Sequence, residues 1–227
     1  LGSETRLLTV IKDELIVIRD NFGDKRKTEI NNDFSDLSLE DLITPQDVVV
    51  TLSHLGYVKY QPLSEYQAQK RGGKGKLAAA TREEDWVDKL WVTHTHDWLL
   101  CFTSHGRVHW LKVYQIPEGS RGARGKPIVN LLKLEAGEKV QAIMPVHDLE
   151  QTSAEDRRYV LFATQKGVVK RTPLADYSRP RSAGLIAIDL REGDELIGAA
   201  VTNGEQEIML FSDAGKVARF RETDLRV

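Results

Sequence analysis

The chain has 227 residues, enough for one large domain or two small ones. Its 29% charged and 41% hydrophobic residues give the composition of a folded, water-soluble protein and exclude a disordered one. No apolar run of about 18 residues is present, so no helix spans a membrane, and a lone cysteine, Cys101, excludes an intrachain disulfide and favours a reducing compartment.

The 32 Lys and Arg stand against 34 Asp and Glu, but the charge is uneven. Residues 1–46 hold 6 basic and 10 acidic residues, for a net −4, which leaves residues 47–227 at +2. A pI near 6.4 is therefore no argument against a polyanionic partner, and the clustering of cations decides. No secretory signal opens the chain. It begins with Leu inside a helical pattern, which reads as a piece of a longer protein.

In chain order, Leu8, Ile11, Leu15, Ile18 and Phe22 follow a 3-4-3-4 spacing that predicts a helix over residues 4–22. The spacing suits a coiled-coil seam and an ordinary amphipathic helix equally. Gly23 stands where a C-cap belongs. Residues 31–46 are acidic and polar, run to Pro45 and read as a linker with one helical turn.

From Asp47 onward short β-rich runs replace helical periodicity. Val48–Leu52, Trp98–Phe102, Tyr159–Ala163 and Ile208–Phe211 are each followed by the same turn, [ST]-x-x-G: Ser53–Gly56, Thr103–Gly106, Thr164–Gly167 and Ser212–Gly215. The hydroxyl caps the turn and the glycine supplies positive φ at its exit. Second strands follow at Tyr57–Tyr60, Arg107–Trp110, Val168–Arg171 and Lys216–Arg219, making four β-hairpins. Each of the first three units continues through Leu63, Val113 or Leu174 into a Gly-rich basic loop. A third strand is predicted at Leu77–Ala79, Ile128–Val129 and Ile186–Ile188, and a fourth at Lys89–Val92, Lys139–Ile143 and Glu195–Ala199. The turn glycines at 56, 106, 167 and 215 give a period of roughly 50 residues with four strands per unit, a propeller-like all-β array. Polar Leu149–Arg158 accounts for the one long interval. The diagnostic motifs of Kelch and WD propellers are missing.

The loops carry the chemistry. Gln69-Lys70-Arg71-Gly72-Gly73-Lys74-Gly75-Lys76 in the first unit, Ser120-Arg121-Gly122-Ala123-Arg124-Gly125-Lys126 in the second and Arg179-Pro180-Arg181-Ser182-Ala183-Gly184 in the third place cations at equivalent points of successive units. One basic loop is an ordinary solvated loop; the same loop repeated in register is a track for phosphates. Glycine admits backbone N–H groups to phosphate oxygens while Lys and Arg neutralise them. Lys59, Arg107, Lys170, Arg171, Lys216 and Arg219 on the hairpins add to the expected rim. A P-loop is excluded, because Lys70 stands where its first Gly belongs and Leu77 replaces Ser/Thr.

Other residues read more plainly. His94, His96 and Cys101 form the nearest approach to a zinc set, but no second cysteine completes it. Trp86, Trp91, Trp98 and Trp110 are assigned to core and blade packing, with base stacking as the sharper alternative. No G-x-S-x-G elbow marks a nucleophile.

Gln69–Gly75 resembles the Q-R-R-G-G-K-G box of the A subunits of bacterial DNA gyrase, a type IIA topoisomerase family, with Lys70 in place of the first Arg; the charge is kept and a bidentate donor is lost. Phe22–Ile30, Val48–Tyr66 and Arg121–Leu131 resemble the same family. The resemblance implies that residues 1–30 end the coiled-coil part of the breakage-reunion region, 31–46 form the linker, and 47–227 form an incomplete DNA-wrapping β-pinwheel whose blades exchange strands, about four units of the six usual in the family. It implies duplex DNA as ligand, a B subunit in an A2B2 assembly, a bacterial cytoplasmic location, ATP and Mg2+ used elsewhere in the holoenzyme, and no catalytic residue, cofactor or metal in this monomeric piece. The alternatives are the C-terminal domain of topoisomerase IV, which lacks an intact box, and a propeller used as a protein scaffold.

Overall fold

The computed structural model describes residues 2–25, 27–28, 38–66, 85–149 and 157–226. The chain separates into two compact units, Leu1–Ser38 and Leu39–Val227. In the first, helix α1 (Glu4–Phe22) follows the apolar spacing, with Ser3 at its N-cap. Its heptad residues are exposed, from 43% at Ile11 to 80% at Phe22. Gly23 closes the helix by donating its N–H to the Arg19 carbonyl at 2.7 Å. Its φ is −73°, so it does not adopt the left-handed cap conformation.

Thirteen strands are found among the described residues of the second unit. The first sheet contains β1 (Asp47–Ser53), β2 (Tyr57–Pro62), β3 (Val87–His94) and β6 (Lys126–Pro127); the second β4 (Trp98–Thr103), β5 (Arg107–Lys112), β7 (Val140–Val146) and β10 (Leu185–Ile186). Strands β8 (Tyr159–Thr164), β9 (Val169–Pro173) and β11 (Leu196–Thr202) form the third, and β12 (Glu207–Phe211) and β13 (Val217–Arg221) the fourth. All four predicted hairpins are present, each with antiparallel register.

The third strand of a unit does not join its own hairpin. β6, from the second unit, pairs with β2 of the first sheet, and β10, from the third unit, pairs with β5 of the second. The first and second blades are thus each completed by their successor. Both strands begin earlier than predicted, and β10 is one residue shorter. Ile128–Asn130 is a 3-10 turn rather than a strand, and Ile128 anchors it in the core. Ala187 and Ile188 are buried just past β10. The strand predicted at Leu77–Ala79 lies outside the described residues.

The apolar run of β4 shows why the blades stack. Successive side chains of a strand point to opposite faces. Leu99 and Cys101 enter a cluster with Val48, Val50 and Val58 of the first blade and Ile143 of the second. Leu100 and Phe102 enter another with Val160, Phe162, Leu174 and Tyr177 of the third. A strand buried on both faces needs a continuous hydrophobic sequence, and Trp98-Leu99-Leu100-Cys101-Phe102 supplies it.

The segment 39–46, within the expected linker, belongs to the blade unit. Its 3-10 turn Leu39–Leu42 carries Glu40, which accepts from Lys112 Nζ at 2.7 Å. Thr95 clasps the same segment by donating its hydroxyl to the Thr44 carbonyl and its N–H to the Gln46 carbonyl.

Candidate nucleic-acid interface

The repeat is built around one turn. In all four hairpins the first-position hydroxyl accepts the N–H that follows the glycine: Tyr57 to Ser53 at 3.1 Å, Arg107 to Thr103 at 3.3 Å, Val168 to Thr164 at 3.0 Å and Lys216 to Ser212 at 3.1 Å. Gly56, Gly106, Gly167 and Gly215 all have φ between 71° and 81°, which a side chain rarely tolerates. A 3-10 turn follows each second strand, starting at Leu63, Val113, Leu174 and Glu222. Sequence reading marked the first three of these apolar starts without the turn.

A buried carboxylate completes the turn in three blades. Asp85, Glu138 and Asp194 each stand two residues before the last strand of their unit. Ser53 and Thr103 donate their hydroxyls to Asp85 and Glu138, and Thr164 donates to Asp194 at 2.8 Å. Leu55 N–H donates to Asp85 at 3.0 Å and Lys166 N–H to Asp194 at 2.9 Å. Burial opposes ionisation of each carboxylate, but the hydroxyl and backbone donors outweigh it and hold all three acids below their ordinary range. The sequence signal for these carboxylates is an acid two residues before the last strand in each of the three units.

This frame sets where the basic loops emerge. The second loop runs beside β2: Tyr60 N–H donates to the Pro117 carbonyl at 3.2 Å and Gly119 N–H to the Tyr60 carbonyl at 3.0 Å. The loop then turns at Gly125 (φ +86°) into β6. A Cβ at Gly125 would overlap the Val58 carbonyl, and one at Gly184 (φ +75°) would lie 2.8 Å from the His109 ring. Those two glycines therefore serve close approach to the preceding hairpin, not to phosphate. A Cβ at Gly122 would meet nothing within 4 Å.

The predicted rim residues separate into two groups. Lys59 is buried, and its Nζ donates to the Ser120 and Arg121 carbonyls at 2.9 and 3.0 Å. It fastens the second loop to the first blade and is not a surface cation; burial pushes its pKa down. Arg107 performs the same task one blade on, donating Nη2 to the Ala183 carbonyl at 2.7 Å and Nη1 to Glu135 at 3.0 Å. Lys170 donates to the Ala187 carbonyl at 2.9 Å, and Arg121 donates to the Glu65 carbonyl. Arg171 donates to the Gly204 carbonyl at 3.3 Å and lies over the Tyr159 ring. Arg219 pairs with Glu207. The second group is exposed: Lys126, Arg179, Arg181 and Lys216 have no carboxylate partner among the described residues, and Arg124 acts only electrostatically on the buried Asp85. Arg124 stacks 3.6 Å over Tyr57, which fixes its guanidinium while leaving its charge available. Gln69, Lys70, Arg71, Gly72, Gly73, Lys74, Gly75 and Lys76 lie outside the described residues.

Among the described residues no group of three or more His, Cys, Asp or Glu is placed to hold a metal. Cys101 is fully buried, and desolvation pushes its thiol up to about 12. Trp91, Trp98 and Trp110 pack against the two cores. Trp86 departs from that assignment: it is 52% exposed and stacked on His54 at 4.0 Å.

A family profile described as DNA gyrase C-terminal domain, beta-propeller, matches residues 47–90, 97–147, 158–203 and 206–227, reproducing the four units. The DNA gyrase A subunit of Salmonella typhimurium is 58% identical over 225 residues, covering 99% of this chain and 25% of that protein. The chain thus spans about a quarter of the curated relatives it matches. Among solved structures, the C-terminal domain of DNA topoisomerase IV aligns with a TM-score of 0.66 at 27% identity, over 80% of this chain and 54% of that one. The DNA gyrase A C-terminal domain aligns with a TM-score of 0.56 at 25% identity, over 80% and 57%. The blade repeat, the exchanged strands and the match to all four units agree: the chain belongs to the DNA gyrase C-terminal domain family of β-propellers.

Proposed function

We propose that this chain is the DNA-wrapping part of a gyrase A subunit, holding duplex DNA by its phosphates without reading sequence. The observation that carries this is the repetition of one loop-to-blade junction. The second and third basic loops each feed an edge strand of the preceding sheet and are each fastened there by a cation of that blade, Lys59 or Arg107. The charges left over, Arg124 and Lys126 in one loop and Arg179 and Arg181 in the next, leave an exposed pair of cations at each junction, at different points of the two loops. Contacts of this kind position DNA and carry no sequence information.

Bending a duplex whose persistence length is about 50 nm is costly, so many phosphate contacts must offset it. In the whole enzyme, wrapping would fix the sign of the DNA crossing presented to the cleavage gate. ATP-driven strand passage with a B subunit in an A2B2 assembly would then introduce negative supercoils. ATP and Mg2+ would act at sites outside this chain, in the bacterial cytoplasm. The box Gln69–Gly75 is intact apart from Lys70, which favours gyrase over topoisomerase IV.

The test is binding of DNA of about 150 base pairs across a salt series, with its end-to-end distance read by energy transfer. The expected result is a steep salt dependence, about −0.9 in log K against log salt for each neutralised phosphate, with shortened ends. Absence of binding at low salt would overturn the proposal in favour of a protein scaffold. Replacing Arg71, Lys74 and Lys76 by Ala is expected to abolish the shortening while the domain stays folded; retained shortening would remove the box from the mechanism.

A further inference from the structure

We infer that Trp86 and His54 form an aromatic contact point for the wrapped duplex, packing against its sugar-lined minor groove at one place on the first blade; this rests on the DNA-wrapping reading above. Each of three blades has the same backbone clasp, in which the second turn residue donates its N–H to the carbonyl of the residue just before the last strand. The pairs are His54 to Trp86 at 2.9 Å, Ser104 to Lys139 at 2.7 Å and Gln165 to Glu195 at 2.8 Å. The backbone is equivalent, but the side chains are not. The second and third blades place small, polar or charged groups there. The first places two rings, stacked at 4.0 Å with planes 15° apart.

The pair is not core. Trp86 and the adjacent Leu55 are each 52% exposed. Neither belongs to the buried clusters, while Trp91, Trp98 and Trp110 all pack against one. The pair is also held rigidly. Asp85, next to Trp86, is locked into the turn by the Leu55 N–H and the Ser53 hydroxyl. Stacking on His54 restricts the indole further.

The surroundings select a polyanion. Arg124 lies over Tyr57, three residues beyond His54, and acts electrostatically on Asp85, so its guanidinium belongs to the same end of the blade. Lys126 is exposed and sits opposite Val58 on β6. The negative charge of Asp85 is buried and committed to turn donors, so it does not oppose an approaching phosphate. An apolar plate with Arg124 at the same end of the blade suits a duplex groove, where deoxyribose carbons are bordered by phosphates and which apolar side chains of minor-groove binders enter; the exposed Asp88, two residues past Trp86, disfavours a phosphate there and leaves the sugars as the surface met. Contact with deoxyribose carbons touches no base edge and so carries no sequence information, as a wrapping surface requires.

The test uses the whole chain and the same 150-base-pair DNA. Tryptophan emission is followed during titration for the unaltered chain and for Trp86→Phe; the difference isolates Trp86. Affinity and salt slope are then measured for Trp86→Ala and His54→Ala. The expected results are a DNA-induced change in the Trp86 emission and its shielding from acrylamide. Trp86→Ala should weaken affinity about tenfold at fixed salt with the slope unchanged, the loss expected for roughly 55 Å² of apolar contact, whereas Lys126→Ala should lower the slope by about 0.9. Unchanged Trp86 emission on a chain that binds DNA would overturn this inference alone, whatever the stability of the variants. A fall in slope for Trp86→Ala would overturn it too, by showing that the substitution acts through phosphate contacts. A chain that binds no DNA at low salt would overturn the wrapping reading and this inference with it.

Discussion

Replacing Lys59 by Met separates a structural cation from a DNA-binding one. The side chain is 3% exposed, its ammonium donates to two loop carbonyls, and Met keeps most of the stem. A hydrogen bond to a charged group contributes about 1.5–3 kcal/mol. Ser120 lies at the exposed surface, so its carbonyl regains water in the variant, and not having to bury an ammonium recovers part of the loss. Two bonds near the lower limit, less those compensations, give a net loss of about 2 kcal/mol. For a domain of this size that is about 4–8 °C in Tm. The assay pairs urea unfolding with the salt dependence of DNA binding. The expected variant has a lower urea midpoint and an unchanged m value. Its second loop is cleaved faster by trypsin at Arg121 and Arg124. A variant with unaltered stability whose salt slope falls by about 0.9 would refute the reasoning, because Lys59 would then be neutralising a phosphate.

The exposed cations behave oppositely: Arg124→Ala, Lys126→Ala, Arg179→Ala and Arg181→Ala should each lower the salt slope by about 0.9, with the urea midpoint unchanged except in Arg124→Ala, which loses the roughly 0.5–1 kcal/mol of its stack on Tyr57. Gly125→Ala and Gly184→Ala should destabilise by about 1–3 kcal/mol, since both need positive φ and close approach, whereas Gly122→Ala should leave the urea midpoint unchanged. Asp85, Glu138 and Asp194 have folded pKa values below their unfolded ones. Their stabilisation is therefore complete above the ordinary carboxylate range, about pH 4–4.5, and is lost as pH falls through the depressed values. Urea midpoints measured from pH 7 downward should drop below that range, and Asp194→Asn should flatten the drop.

Which features were legible in advance follows from their range along the chain. The helix over 4–22 and the four hairpins come from contacts a few residues apart, and spacing alone specifies them: apolar residues at 3-4 intervals, and a hydroxyl three residues before a glycine. The repetition of the turn at roughly 50 residues was equally visible and carried the propeller architecture. The box at Gln69–Gly75 and the loops at 120–126 and 179–184 were visible as charge in register.

Tertiary structure decided what could not be local. Lys59 and Lys126 have the same charge in the sequence. One is consumed by the loop that crosses it and the other is left at the surface, because β6 pairs with a hairpin some 70 residues upstream. The glycines of the loops looked alike, yet Gly125 and Gly184 face backbone or a ring while Gly122 faces open space. Asp85, Glu138 and Asp194 find their hydroxyls 30 or more residues away. Trp86 looked like three other tryptophans until the cores formed without it. A residue type and its spacing fix which groups are available; whether a charge is spent on the fold or kept for a partner depends on which strand arrives beside it, and only packing of the blades sets that.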